Sequence, residues 1–363
     1  MAKLYTGALL VMSLIMVGCA STAPKEVEPE PSEPQRSETT GAKIIVGEAP
    51  EWVAGDIEQY PRLHYMTARA QGTSEQEAVA AAKAKLARLF VIDVEQLNIP
   101  LKQATDASGF ELNTTHLPDD TKTIASAQAE RVMGKIKASE VWHDAAQGAH
   151  HALATLARNT GKGYLVKQIQ LMDQRTEELV NAARSGEADP LTQAGMMAKA
   201  WRVQQLRRDF QASLKRADLT GRGIQPSWSP TTLERDASGL LTTLQIETTG
   251  LEGDTNAEQV AYMLRGGLDV AGIKPPVNEP DYTMRGSLDA QVVGEENGWA
   301  LGGGELKLAL VDKVTGEVQG TIVWNVEVPG LDENAAIRRV YEKTEYMLKV
   351  KMRNILLEMS MQK

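Results

Sequence analysis

Strict alternation of apolar and polar residues marks the C-terminal third of the chain. From Asp281 to Val292 every even position is apolar or glycine and every odd position is polar, which predicts a half-buried strand. Leu306, Leu308 and Leu310 repeat the alternation, and a third such stretch runs from Val318 to Val328. Because short turn-like segments separate the three stretches, we expect an antiparallel meander.

Helical patterns flank this meander on both sides. A predicted strand from Leu244 to Thr248 is followed by a helix that Asp254 or Thr255 caps and that ends at Gly272. After the meander, Asp332 caps a long amphipathic helix. The order β, α, β, β, β, α predicts an open sheet that two helices cover on one face.

A pair of helices is predicted in the middle of the chain. Apolar residues recur every three or four positions between Leu165 and Ala183, and residues 184–186 can end that helix. Asp189 is the expected N-cap of a second helix over 190–216, antiparallel to the first. Two interpretations stay open: the hairpin packs on its own domains, or it is an arm that docks a partner or self-associates. Exposure of Trp201 would favour the arm.

The first folded segment shows a mixed pattern. Strand-like stretches begin at Lys43 and at Leu63, and Ser74 with Glu77 forms a capping box before an alanine-rich helix. Residues 135–141 and 149–157 then predict two strands that pair across a turn at Gly148. The segment is therefore expected to form a second sheet packed against a helix.

Several residues of this segment resemble a known family. Pro50, Trp52, Tyr60, Gly72 and Ser74, together with Trp142 and residues 152–154, are similar to the twenty-kilodalton outer-membrane lipoprotein family over about residues 47–158. The resemblance implies a small α+β domain with helices on one face of a sheet. It also implies a role in envelope or flagellum-associated assemblies, and it carries over no catalytic residue.

The C-terminal segment has a second resemblance, which is one of architecture. Its strand order, with Tyr282 and the following Gly286, resembles the periplasmic domains of penicillin-binding-protein activator lipoproteins, of the Tol system's periplasmic protein and of flagellar outer-ring proteins. This likeness covers about residues 242–359. A function taken from it is an analogy, because one fold serves many functions.

The predicted fold class is α+β, with two antiparallel-sheet domains that carry helices on one face and are joined by an antiparallel helical hairpin. The predicted organisation is a lipoprotein signal peptide over 1–18, a disordered acidic proline-rich tether over 19–42, a lipoprotein-family α+β domain over 43–158, the hairpin over 159–217, a linker over 218–238 and the β-α-β-β-β-α domain over 239–363.

The N-terminus carries the most specific motif. An apolar run from Leu9 to Cys19 follows Lys3 and ends in Met-Val-Gly-Cys, which resembles the lipobox of bacterial lipoproteins. Cleavage between Gly18 and Cys19 with acylation of Cys19 would anchor the chain in a membrane. Ala20, rather than an aspartate, follows the cysteine, and by resemblance to lipoprotein sorting in enteric-type envelopes this favours the outer membrane, with the protein facing the periplasm. The alternative is an ordinary signal peptide that contains a cysteine.

Composition excludes some classes of partner. The chain of 363 residues has a net charge of −9, so we exclude nucleic acid as a main partner, because phosphate binding needs a basic surface. It has one cysteine, which leaves no disulfide and no thiol nucleophile once it is acylated. We expect no cofactor.

Histidines provide the first test for metal or catalytic chemistry. His143 could meet His150 or His151 across the Gly148 turn, but neighbouring residues of a strand point to opposite faces, so only one can join it. Two ligands do not make a firm site, and we expect no metal.

Two glycine-rich segments provide the second test. Residues 159–163 lack the first glycine and the final hydroxyl of a phosphate-binding loop, so we expect a turn there. Residues 302–304 are glycines for which we expect a turn or a bulge.

With no catalytic set in view, the sequence favours a non-enzymatic binding or scaffold lipoprotein that docks envelope proteins. Regulation of a peptidoglycan synthase and a flagellar-ring accessory role both fit the resemblances. The candidate contact residues are Trp142, Trp201 and Trp299, of which Trp299 is expected on a loop. The alternative is an enzyme or small-ligand binder whose site comes from residues far apart in sequence.

Overall fold

A computed structural model describes residues 35–55, 58–88 and 134–362. Gly18, Cys19, the signal peptide and most of the expected tether lie outside these ranges. The described chain is α+β, as predicted, with two four-stranded sheets and seven helices. Both sheets are mixed rather than antiparallel, because each has one parallel pair at an edge.

The first domain has its strands in the order β1-β3-β4-β2. Its elements are β1 (Lys43–Ile45), α1 (Glu51–Ala54), β2 (Tyr65–Gly72), α2 (Glu75–Ala87), β3 (Lys137–Asp144) and β4 (Ala149–Ala157). β1 runs parallel to β3, and the other pairs are antiparallel.

Helix α2 covers one face of this sheet. Its buried Ala78 and Ala82 share a core with Ala152 and Ala154 of β4, and Gly72 leaves room for the start of the helix. The oxygen of the Ser74 side chain accepts the Glu77 N–H, as the capping box predicts. The Glu77 carboxylate also accepts from the backbone N–H and the hydroxyl of Thr73.

The opposite face of this sheet is also covered, which the expectation of helices on one face did not include. Trp52 of α1 is buried there, and its indole N–H donates to the Glu140 carboxylate at 2.7 Å. The Arg69 guanidinium donates to the backbone oxygens of Trp52 and Val53, which holds α1 in place.

Residues 35–42 close the free edge of β1. The backbone N–H of Ile44 donates to the oxygen of Gln35 at 3.0 Å, and Arg36 forms an antiparallel bridge with Lys43. Ala42 is fully buried, and the Thr40 hydroxyl donates to Glu75 of α2. The expected disordered tether includes these residues, so its last part differs from that expectation: it packs on the first domain.

The helical hairpin consists of α3 (Arg158–Arg184) and α4 (Pro190–Ala217). The prediction of a turn at 159–163 is wrong, because those residues lie in the first turns of α3 directly after β4. Gly186 with a φ of +78° follows the end of α3, and Asp189 caps α4 by accepting the Thr192 N–H, as predicted.

The hairpin packs against the C-terminal domain and is not a free arm. Helix α4 contacts α5 (Pro230–Leu241) and α7 (Glu333–Met361). Gly195 allows the closest approach, because a Cβ there would overlap the backbone of Ser360. Arg202 of α4 also forms a buried ion pair with Glu358 of α7. Of the two interpretations, the structure favours the packed hairpin.

The second domain contains β5 (Ile246–Gly250), α6 (Ala257–Val270), β6 (Tyr282–Glu296), β7 (Trp299–Asp312) and β8 (Val318–Gly330), followed by α7. The strand order is β5-β6-β7-β8, with the predicted antiparallel meander and a parallel β5–β6 pair. Helices α6 and α7 cover one face. The expected linker over 218–238 differs from the structure, because helix α5 begins within it at Pro230.

Three further predictions in this domain concern the first residues of α6 and α7 and the glycines at 302–304. Asp332 caps α7 as predicted, but the N-cap of α6 is Asn256, not Asp254 or Thr255. Of the turn or bulge expected at residues 302–304, the turn is wrong, because the three glycines lie inside β7, but Gly302 does lie opposite a break in register of β6 between Val292 and Gly294. A Cβ on Gly302 would meet the backbone of Ala336, so glycine lets α7 pack directly on the strand.

Candidate functional site

Strand β5 is one of the two edge strands of the second sheet, and β8 is the other. In its parallel ladder Leu251 donates to Gly286, and Gln245 accepts from Tyr282, so the odd-numbered residues bond to β6. A parallel ladder uses alternate residues, so the backbone N–H and C=O of Ile246 and Thr248 point away from β6. No strand among the described residues pairs with that side of β5.

A groove of about 550 Å³ lies beside this edge. Its walls come from four parts of the second domain: β5, α6, the proline-containing segment that follows α6, and α7. The lining residues are Ile246, Glu247, Thr248, Tyr262, Arg265, Gly266, Leu268, Asp269, Ile273, Lys274, Pro275, Pro276 and Lys349. The groove therefore combines unpaired strand backbone with apolar, aromatic and charged side chains.

Some charged side chains of the groove have ion-pair partners within the chain, and others have none among the described residues. Glu247 accepts hydrogen bonds from Lys313 at 2.7 Å and from Thr283 at 2.8 Å, and these bonds hold its pKa below the usual value. Lys349 bonds to Glu345 of its own helix. Arg265 and Lys274 form no ion pair with a described residue. Two cations are thus available to a ligand.

An aromatic and apolar surface continues from the groove over the outer side of α6 and α7. Tyr262 is 67% exposed and Tyr346 is 61% exposed, and Val270 and Val350 are exposed as well. Tyrosine presents a large amphipathic ring at low entropic cost, which is why it is frequent in protein interfaces. This surface favours contact with another macromolecule.

A second groove, of about 420 Å³, lies between the hairpin and α5. Arg184 crosses its rim, where it pairs with Asp236 at 3.3 Å and lies 5.8 Å from the ring centre of Trp228. These contacts satisfy the charged groups of this groove within the chain. It is therefore a weaker candidate than the β5 groove.

The first domain has buried polar atoms without a partner. The second carboxylate oxygen of Glu140 and Nε2 of His151 make no hydrogen bond with a described residue. They lie on the face that Trp52 covers, and the indole of Trp142 packs against His151 at 5.2 Å between ring centres. Because Trp52 and Trp142 pack against these two residues, we assign the cluster to support of the fold.

The histidines behave as predicted on one point. His143 faces His150 across the turn, with ring centres 4.5 Å apart, whereas His151 contacts Trp142. Within residues 35–55, 58–88 and 134–362, no group of three histidine, cysteine, aspartate or glutamate side chains could hold a metal ion.

None of the three predicted contact tryptophans lines the β5 groove. Trp142 is partly buried and donates to the oxygen of Gly47, and Trp201 is partly buried against the core of the hairpin. Trp299 is 43% exposed and begins β7, directly after the Asn297–Gly298 turn, instead of lying on a loop. The sequence reasoning missed Tyr262, and an isolated tyrosine in an amphipathic helix gave no signal of its own.

The chain matches no protein-family model and no curated protein sequence. Solved structures similar to it include a predicted lipoprotein of Caulobacter crescentus, with 20% identity over 34% of this chain and 91% of that one and a TM-score of 0.25. The secreted protein HP1454 of Helicobacter pylori has 13% identity over 82% of this chain and 97% of its own, with a TM-score of 0.35.

A third similar structure is a PelC dodecamer of Paraburkholderia phytofirmans, with 10% identity over 32% of this chain and 82% of that one and a TM-score of 0.21. At such identities and TM-scores, neither fold nor function is transferred from these three proteins. Among the described residues, no helix is both long enough and apolar enough to cross a membrane.

Proposed function

We propose that this protein is a lipid-anchored docking protein of the bacterial cell envelope, and that it acts without catalysis. Its C-terminal domain binds a segment of another envelope protein at the β5 groove. The observation that carries the proposal is the open edge of β5 beside a groove with two unpaired cations and an exposed tyrosine. An edge strand with free backbone groups is a template for another chain.

The anchor in this proposal rests on the motif that ends at Cys19. Acylation there places the protein on the outer membrane, facing the periplasm, where a peptidoglycan synthase or a flagellar ring offers partners. Labelling of cells with a palmitate analogue, followed by membrane fractionation, tests the anchor. We expect label in the outer-membrane fraction for the unchanged chain and none for Cys19→Ser. Label on Cys19→Ser would contradict the assignment of the acylated residue.

Docking is tested by photo-crosslinking in intact cells. A benzoylphenylalanine placed at Tyr262 should give adducts with a defined envelope protein, identified by mass spectrometry. The matched control is the same probe at Lys307, which is exposed on the uncovered face of the second sheet and lies on the inner strand β7. Equal adducts from both positions, or none from position 262, would contradict docking at the groove. A small molecule that co-purifies and blocks labelling at position 262 would favour the ligand-binding class instead.

A further inference from the structure

Strand β5 differs from the corresponding edge of the first sheet. The edge of β1 is closed by the chain itself, since Gln35 accepts from Ile44 and Arg36 bridges to Lys43. β1 and β5 occupy equivalent places, because each is an edge strand parallel to its neighbour. The first domain therefore shows that such an edge can form backbone hydrogen bonds with a neighbouring segment, here a turn of the same chain with one isolated bridge.

We propose that the β5 edge takes an extended, acidic segment of a partner protein as a fifth strand of the second sheet. The N–H and C=O groups of Ile246 and Thr248 pair with the backbone of that segment. Its carboxylate side chains lie against Arg265 and Lys274. This inference rests on the proposed docking function and specifies its mode and the chemistry of the partner.

The backbone of β5 sets the register of the added strand. Because odd-numbered residues bond to β6, the outward groups belong to Ile246, Thr248 and Gly250. The Gly250 oxygen already accepts from the Thr249 hydroxyl at 3.0 Å, so pairing is centred on the first two. Main-chain pairing of this kind supplies affinity, while pockets beside the strand supply specificity.

The charge of the groove selects an acidic partner. Of the three cations that line it, Lys349 is bonded to Glu345, whereas Arg265 and Lys274 have no ion pair with a described residue. Of the two carboxylates, Glu247 is already bonded to Lys313 and Thr283, so Asp269 alone opposes an acidic segment. The net unpaired charge of the groove is positive on a chain of net charge −9.

A second copy of this chain fits the edge less well. Two β5 strands that pair about a twofold axis bring identical surfaces together. The Arg265 and Lys274 side chains of both copies would then meet across the same interface, and like charges at short distance oppose association. A segment from another protein has no such penalty.

Peptide binding tests the proposal directly. The probes are three short synthetic peptides in which valine alternates with glutamate, glutamine or lysine. The mature protein without its lipid is titrated with each, and the readouts are the dissociation constant and the exchange of the Ile246 amide. We expect the glutamate peptide to bind most tightly and to protect that amide. We expect Arg265→Gln with Lys274→Gln to weaken it by roughly 2- to 10-fold.

A pair of proline variants separates strand addition from other binding. Thr248→Pro removes an N–H that points to the open edge, so we expect a folded protein with at least ~10-fold weaker peptide binding. Thr249→Pro removes an N–H that bonds to β6 and should destabilise β5 itself. Circular dichroism and thermal melting show that Thr248→Pro is folded.

The outcomes distinguish this inference from the docking function. Unchanged binding of the glutamate peptide by folded Thr248→Pro would overturn strand addition, and equal binding of all three peptides would overturn the acidic preference. If either result is found while position 262 still cross-links in cells, docking at the groove stands, but the proposed addition of an acidic strand is wrong. A concentration-dependent dimer that Thr248→Pro abolishes would overturn the proposal in favour of a second copy. If position 262 gives no cross-link in cells although the purified protein still binds the glutamate peptide, that result would contradict the docking function.

Discussion

The two sheets have similar topologies, but they differ in which faces and edges other segments of the chain cover. In the first sheet α2 covers one face, Trp52 covers the other and residues 35–42 close the edge of β1. In the second sheet α6 and α7 cover one face only, and no described residue pairs with the outer edge of β5. The first sheet thus has both faces and the β1 edge covered, whereas the second sheet leaves one face and the β5 edge available for binding.

The residues on the outer face of each sheet explain why one face is covered and the other is not. It exposes polar side chains such as Arg285, Asp289 and Asn325 at alternate positions. The corresponding face of the first sheet carries Leu153, which is fully buried, next to the cross-strand partner Glu140. An antiparallel sheet can leave one face in water when that face is polar, and a face with buried leucine needs a cover.

Removal of the Trp52 cover should have the largest effect. Trp52→Ala deletes a buried indole and leaves Glu140 without its hydrogen-bond donor, so we expect a loss of about 3–5 kcal/mol of unfolding free energy. The control Val323→Ala lies on the exposed face of the second sheet and should change stability by less than ~0.5 kcal/mol. Urea denaturation measures both, and similar losses would refute the contrast between the faces.

Opening the edge of β1 should have an intermediate effect. Ala42→Asp places a carboxylate in a fully buried site, so residues 35–42 should detach at a cost of roughly 2 kcal/mol. Hydrogen exchange of the Ile44 amide, which donates to Gln35, should then become faster, whereas Glu38→Ala at an exposed position should leave it unchanged. If Ile44 keeps its protection in Ala42→Asp, the first edge does not depend on this cover.

The smallest expected effect concerns Glu247 at the open edge. Its hydrogen bonds from Lys313 and Thr283 lower its pKa from 4.5, so it stabilises the fold above that pH and loses this contribution as pH falls through the lowered value. Both ion-pair partners are partly exposed, so Glu247→Gln should cost no more than ~0.5 kcal/mol at neutral pH. Unfolding midpoints measured from pH 7 to pH 3 should converge for the two proteins. A difference that grows towards acid pH would contradict this assignment.

Much of the fold could be predicted because local patterns determined it. Alternation placed β6, β7 and β8, and Asp189 and Asp332 cap the helices that they were expected to cap. The parallel pairs could not be predicted, because which strand joins an edge is decided by packing between distant segments. Gly302 was expected in a turn or a bulge, and its contact with α7 was not predicted, because a contact between distant segments leaves no local signal.

The candidate site was less predictable than the fold. Tryptophan was an uncertain guide to contact residues, because Trp142 and Trp201 serve packing within the chain. The β5 groove depends on a sheet edge and on a helix that returns over it, so its residues meet only in the folded domain. The edge of β5 is open because no described strand pairs with its outer side. A local sequence pattern predicts a strand, but it does not indicate whether another strand pairs with it.

Arg158 has a mechanical consequence. β4 passes into α3 at this residue without an intervening loop, and its side chain donates to the backbone oxygens of Arg62, Tyr65 and Ala217. These bonds connect the first domain to both ends of the hairpin through a single side chain. We therefore expect the first domain and the hairpin to move as one body, with little bending where β4 meets α3.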